Sequence, residues 1–294
     1  LWASWQSQTT AKAPTVARQP AAPAPVAPMP VAPPAPVAHP AAAPGIHAQP
    51  ASTSSGVEAD SNMTPHIACL HGLQDQHRGI AFVQRYLRNL STREARALTD
   101  AGFTIVSCYE ETAPNHLTAT QIAYFTRAQG QYDGRRGCTQ AHRIGQPAGT
   151  PIYFAVDTDP NNAHELAAMH QGVLDYIEGA RDGYHQYAAD MHAQNVAPIA
   201  YDIGVYGSGC ILEWAQAQGI ATWFWQAFAP GWCNNRHVWA GANIRTSGND
   251  QPPRCHLRLG HLEGWGHEGG WALPAPAQHP ELGGYARYDR YWSA

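Results

Sequence analysis

From Gly56 onward, short runs of β-branched and aromatic residues alternate with stretches whose apolar positions recur at helical spacing. That alternation predicts a parallel α/β fold. Residues 56–60 (GVEAD) read as the first strand, and a helix is expected from Thr64, with Pro65 tolerated in its first turn. Residues 80–87 form the second strand. Ser91 and Glu94 then make a capping box at the head of STREARALTDAG, and Gly102 ends that helix. The third strand spans 103–110, and a partly broken helical region runs from Thr118 to Ile144, up to GQPAG. Residues 151–157 (PIYFAVD) are almost wholly apolar until Asp157, as expected of a strand covered on both faces. The next helix places Leu166, Met169, Val173, Ile177 and Tyr184 on one face. Residues 198–206 and 221–228 are the fifth and sixth strands, separated by the helix ILEWAQAQG.

After Trp232 the pattern weakens. HVWAGANIR reads as a seventh strand and GYARYDRYW as an eighth, with RLGHLEGWGHEGGWALPAP as a long loop between them. A (β/α)8 barrel of TIM type accounts best for this order and for the roughly 240 residues available.

Upstream, the text changes character. Residues 11–55 are nearly all Ala, Pro and Val, and twelve of the 24 prolines lie between Pro14 and Pro50. Such a segment has too little bulky apolar surface to offset its ordering entropy, so a disordered, polyproline-like tether is expected over 1–55 and the barrel over 56–294.

Composition narrows the function. A net charge of -4, with no Lys/Arg run, argues against a nucleic-acid partner. No apolar run is long enough to span a bilayer, and LWASWQSQ lacks the features of a signal peptide. Ten tryptophans against six phenylalanines suit a sugar-binding cleft, although core packing explains any single one as well. The six cysteines (Cys69, Cys108, Cys138, Cys210, Cys233, Cys255) show no CxxC spacing. Disulfides and buried free thiols both remain open. His256, His261 and His267, near Glu263 and Glu268, match no zincin spacing. GVYGSGC is not a G-x-S-x-G elbow, and no cofactor is expected.

The candidate chemistry is carboxylate chemistry. In a parallel barrel, functional groups collect where strands end. Glu58 and Asp60 end the first predicted strand, Glu110 and Glu111 the third, and Asp157 and Asp159 the fourth. Crowded acids repel, so some keep their protons near neutrality, and glycosidic cleavage needs one protonated and one ionised carboxyl. A helix cap or surface ion pair is the plainer role for Asp159 and Glu111. Arg85 and Tyr86 on the second strand, Tyr206 on the fifth, and Trp225 with Gln226 on the sixth are candidate pocket-lining residues. For Arg85 a buried ion pair is an equal alternative. Strand alternation puts Trp223 and Trp225 on one face and Phe224 and Gln226 on the other, so Trp225 and Gln226 cannot both point inward unless the strand end bends.

Together, YFAVDTD, GQPAGTPI, GVYGSG, the WQA of the sixth strand, GVEADSN, FVQRYL and AGFTIVSCYE resemble the bacterial glycoside hydrolase-like domain. That family is similar in architecture to the family-25 lysozymes, which cleave peptidoglycan. The resemblance covers about residues 56 to 230 and extends faintly to Asp289. It implies a pocket fed by Glu58 or Asp60, by Glu110 and by Asp157. The related lysozymes carry D-x-E at the fourth strand, whereas this chain has D-x-D; Asp159 thus competes with Glu110 for the general-acid role.

The expected function is hydrolysis of a cell-wall polysaccharide of peptidoglycan type. Asp157, Glu110 and Asp159 would be catalytic, and Glu58, Asp60, Arg85, Tyr206, Trp225, Gln226 and Asp289 would bind substrate. The protein is expected to act as an extracytoplasmic monomer. The alternative is a non-catalytic glycan-binding domain on the same barrel, since fold alone does not fix function.

Overall fold

The computed structural model describes residues 51–75, 78–111, 123–158, 163–235, 237–249 and 255–274. Nine strands are present among them: β1 (Ser54–Glu58), β2 (Gln74–Asp75), β3 (Arg78–Tyr86), β4 (Thr104–Tyr109), β5 (Pro151–Ala155), β6 (Asp202–Gly207), β7 (Trp223–Gln226), β8 (Ile244–Asn249) and β9 (Gly260–Gly264). The helices are α1 (Ile67–Gly72), α2 (Thr92–Asp100), α3 (Arg127–Ile144), α4 (Ala163–Ala193) and α5 (Gly209–Ala217).

Strands β1, β3, β4, β5, β6, β7 and β8 pair in parallel in that order. β9 closes the ring by pairing antiparallel with both β8 and β1. The result is a closed eight-stranded barrel, with the two-residue β2 attached antiparallel to β3. The closing strand comes from the Gly/His-rich stretch expected to be a loop. Of HVWAGANIR only Ile244 and Arg245 lie in β8, while Trp239 turns back to pack edge-on against Phe224 at 5.2 Å. GYARYDRYW and most of residues 1–55 lie outside the described residues, and β1 begins at Ser54, inside the segment read as tether.

Two packed layers hold the barrel. Inside it, Phe82, Val106, Cys108, Tyr153, Trp225, Ile244 and Leu262 form one buried cluster. Outside it, alternate residues such as Val57, Val83, Ile105, Phe154 and Val205 pack against helical residues such as Leu98, Val173, Ile177 and Ile211. Glycine makes room for the large interior rings: a Cβ at Gly204 would lie 2.8 Å from Tyr153 Cδ1.

Local signals explain the helix ends. Ser91 Oγ accepts from Glu94 N at 3.1 Å, and Thr126 Oγ1 does the same for Gln129 N at 3.1 Å. The Glu94 carboxylate does not return to its own cap. It takes Arg85 Nε at 2.9 Å and Met63 N at 2.8 Å instead. Helices α3 and α4 touch backbone to backbone. A Cβ at Gly134 would come 2.7 Å from Ala180 Cα, and one at Gly179 would come 2.9 Å from Gln131 N. Beside them the buried Asp133 carboxylate accepts from Tyr109, Tyr124 and Tyr176 hydroxyls at 3.2, 2.6 and 2.9 Å, and from Gln129 Nε2 at 2.9 Å. This knot ties α3 and α4 to β4 one residue before Glu110.

Of the six cysteines, four form the disulfides Cys69–Cys255 and Cys210–Cys233, and Cys108 and Cys138 are buried free thiols. No helix among the described residues is long and apolar enough to cross a membrane.

Candidate active site

The inward register of the strands delivers acids to one end of the barrel. Glu58 pairs with Gln84 across β1 and β3, and Tyr86 pairs with Cys108 across β3 and β4. Counting on by twos, β4 leads from Val106 and Cys108 to Glu110, and β5 leads from Tyr153 and Ala155 to Asp157. Tyr206 on β6 is in register with Ala155 and Trp225. Glu58, Glu110 and Asp157 therefore surround the C-terminal mouth, with Tyr86 and Tyr206 between them.

Electrostatics show that the three acids interact. Burial, then the charges of Asp157 and Glu110, pushes Glu58 up to about 8. Burial also raises Glu110, to about 7, with Asp157 adding to the rise; Arg88 and a hydrogen bond donated by Tyr86 oppose it. Asp157 is the exposed member of the trio. Protein packed around its base still removes enough water to raise it, while the Tyr206 hydroxyl donates to it and holds it down. Burial raises both tyrosine hydroxyls, so they remain neutral donors. The mouth thus holds a carboxyl protonated at neutrality, one that titrates there, and one open to solvent.

Those are the ingredients of acid/base chemistry at a glycosidic bond. Among the described residues, no cluster of three His, Cys, Asp or Glu side chains is arranged to hold a metal ion.

Comparison with known proteins agrees with the barrel fold. The profile of the Rv2525c-like, glycoside hydrolase-like domain matches residues 73–251, more than half of the chain. The chain belongs to this family. The matched span contains Glu110, Asp157 and Tyr206, whereas Glu58, Asp60 and β9 fall outside it. Among solved structures, the Mycobacterium tuberculosis Tat-secreted protein Rv2525c in complex with HEPES is 18% identical. It superposes with a TM-score of 0.56 over 74% of this chain and 99% of its own. The same protein in complex with L-tartrate is 19% identical, with a TM-score of 0.52 over 75% and 100%. At those identities the likeness concerns the fold. A curated relative, the uncharacterized protein YbfG of Bacillus subtilis, is 30% identical over 114 residues. That alignment takes in 39% of this chain and only 14% of YbfG.

Within this glycoside hydrolase-like domain, the structure sorts the sequence candidates. Glu58, Glu110, Asp157 and Tyr206 come together at the mouth. Asp60 sits on the exposed rim, bound to Arg88 at 3.1 Å and to Asn89 Nδ2 at 2.7 Å. Trp225 is inward but only 1% exposed; it packs edge-on against Tyr153 and Tyr206 and donates to Thr246 Oγ1 at 3.0 Å. It forms the floor beneath Tyr206, not an open sugar platform.

Two expectations are corrected. Arg85, read as pocket-lining with a buried ion pair as the equal alternative, takes the alternative: it points to the helical side, where it is fully buried against Glu94 and the Ala59 carbonyl. Gln226 also points outward, donating to Asn235 Oδ1 and the His237 carbonyl at 2.9 Å each and accepting from Trp239 N at 2.8 Å. In both cases the odd–even register of the strand leaves no other choice once Tyr86 and Trp225 face inward. Glu111 pairs with Arg136 at 3.2 Å, the plainer role foreseen for it. Asp159 and Asp289 lie outside the described residues.

The sequence reading missed Arg88, the basic residue that touches the acid mouth. Its signal was present: it lies two residues beyond inward-facing Tyr86, on the strand-end segment where barrels place functional groups.

Proposed function

We propose that this domain is a glycoside hydrolase acting on a cell-wall polysaccharide of peptidoglycan type. The observation that carries the reading is the convergence of Glu58, Glu110 and Asp157 on one mouth, with Glu110 titrating close to neutrality. In this reading Glu110 is the general acid that protonates the leaving glycosidic oxygen. Asp157, exposed and accepting a hydrogen bond from Tyr206 that opposes the rise burial imposes, is the partner that activates water or attacks the anomeric carbon. Glu58 keeps its proton and so spares the mouth a third negative charge.

Two disulfides suit an oxidising compartment, and the similar protein Rv2525c is Tat-secreted, so we place the domain outside the cytoplasm. In this reading carboxylate chemistry on a glycan calls for neither a cofactor nor a nucleic-acid partner, and we propose that the domain acts as a monomer.

The test is digestion of purified peptidoglycan by the full chain, beside Asp157→Asn and Glu110→Gln, with mass spectrometry of new reducing ends. The native chain releases muropeptides, and each variant loses about a hundredfold or more in rate. Equal release by all three proteins would remove these carboxyls from the mechanism. No release, together with sedimentation on the wall material, would make the domain a non-catalytic glycan binder.

A further inference from the structure

Arg88 stands where three strand ends meet. One guanidinium nitrogen donates to the backbone carbonyl of Glu110, and another donates to Asp60 Oδ1 at 3.1 Å. The same guanidinium lies 4.7 Å from the centre of the Tyr86 ring. Asn89 Nδ2 holds the other side of the arrangement, at 2.7 Å from Asp60 Oδ1 and 3.1 Å from the Asp60 carbonyl. Tyr86 in turn donates its hydroxyl to the Glu110 carboxylate. Glu110 is therefore held twice by one side chain, directly at its backbone and indirectly through the ring that bonds its carboxyl.

Resting on the reading of Glu110 as general acid, we propose that Arg88 is the positioning residue of this mouth: it fixes Glu110 and supplies the positive charge that balances it. The planar fork suits the task, because a guanidinium can bridge a carbonyl and a carboxylate while stacking on an aromatic face. Among the described residues, the other groups that act on Glu110 are neutral or acidic. Asp157 follows β5, Asp60 and Glu58 come from the end of β1, Tyr86 comes from β3, and the buried thiol of Cys108 lies on its own strand. Without the guanidinium, every remaining charge in this set opposes ionisation of Glu110. The link to Asp60 also explains an otherwise awkward feature, an acid on the rim of an already acidic mouth. Asp60 aims the guanidinium, whose charge offsets the one Asp60 brings to the mouth.

The measurement is a carboxyl-carbon NMR titration of the full chain and of Arg88→Gln and Arg88→Lys, with the Glu110 signal assigned from Glu110→Gln. The native midpoint is expected at about 7. In Arg88→Gln it moves up by about one unit, the low end for losing an adjacent opposite charge at a half-open site. Arg88→Lys, which keeps the charge and loses the fork, falls between the two. Arg88 is exposed, so all three proteins fold, and unchanged melting curves check this. The same Glu110 midpoint in native protein and Arg88→Gln overturns the proposal; a Lys variant matching the Gln variant overturns its charge component. Because the titration needs no turnover, a chain that releases no muropeptides sinks the proposed reaction without deciding the role of Arg88.

Discussion

Glu58 and Gly260 face each other across the antiparallel β1–β9 pair, and a Cβ at position 260 would lie 2.7 Å from the carboxyl carbon of Glu58. The strand that closes the barrel thus also makes room for the most strongly perturbed acid of the mouth. Gly260→Ala should separate these two roles. The obstructed atoms are the far end of a flexible side chain, so the stability cost is about 1 kcal/mol, at the low end for overpacking. The carboxyl must swing away, and peptidoglycan hydrolysis is expected to fall about tenfold or more. Thermal melts and the digestion assay check the two halves; full activity in Gly260→Ala would show that the position of Glu58 is immaterial.

The acids also make stability depend on pH, with a definite sign. Folding raises Glu58 from 4.5 to about 8 and Glu110 from 4.5 to about 7, so between those values the folded chain holds protons that the unfolded chain releases. Where the folded state binds more protons, stability falls as pH rises. This contribution is complete below about pH 4.5 and gone above about 8. Melting temperatures at pH 5, 6.5 and 8.5 should therefore decline across the series, and the decline should be shallower in Glu58→Gln. Parallel curves for the two proteins would mean that Glu58 is not the proton-holding group. With Glu110 as the proposed general acid, hydrolysis should decline on the alkaline side of about pH 7.

Much of this arrangement was legible in the chain because long apolar runs point unambiguously. PIYFAVD can only be a strand buried on both faces, and it delivers Asp157 to the mouth; the Ser91 cap likewise marks the head of α2. Strand β9 was not legible. GHLEG has one large inward residue, Leu262, and glycines where a strand would ordinarily carry β-branched side chains. Those glycines reflect tertiary crowding, at Glu58 for Gly260 and at Ser54 and Glu268 for Gly264, which local pattern cannot anticipate. Arg85 and Gln226 were misplaced for a related reason. A polar residue on a barrel strand looks like a pocket residue until its face is known, and one step of register decides it.

Arg85 now carries a stability prediction instead of a binding one. Its pair with Glu94 is buried on both sides, at 0% and 1% exposure, and Glu94 also holds the Met63 N–H. Arg85→Leu would strand a buried carboxylate and should cost about 3–5 kcal/mol. The double variant Arg85→Leu/Glu94→Leu should recover part of that loss. Chemical denaturation of the single and double variants reads both values; a single variant as stable as the native chain would contradict the buried pair.

Gln226 offers the sharpest contrast between a pocket residue and a frame residue. Its amide joins Asn235, His237 and Trp239, and Asn235 extends the frame to Gly209 N at 2.9 Å and the Ala227 carbonyl at 2.8 Å. The Cys210–Cys233 disulfide closes the same corner, so the loop after β7 is fastened to the start of α5 by both covalent and polar links. Gln226→Leu removes the hydrogen bonds to Asn235, the His237 carbonyl and the Trp239 N–H, so a loss of about 2–4 kcal/mol is expected. Reduction of the disulfide should remove about 3 kcal/mol more, by freeing a loop of this size in the unfolded chain. Both effects belong to the outer frame, so glycan affinity and hydrolysis per folded molecule should stay within about twofold of native below the melting transition. A specific loss of glycan affinity in Gln226→Leu, with its melting curve unchanged, would return Gln226 to the pocket and contradict the outward register of β7.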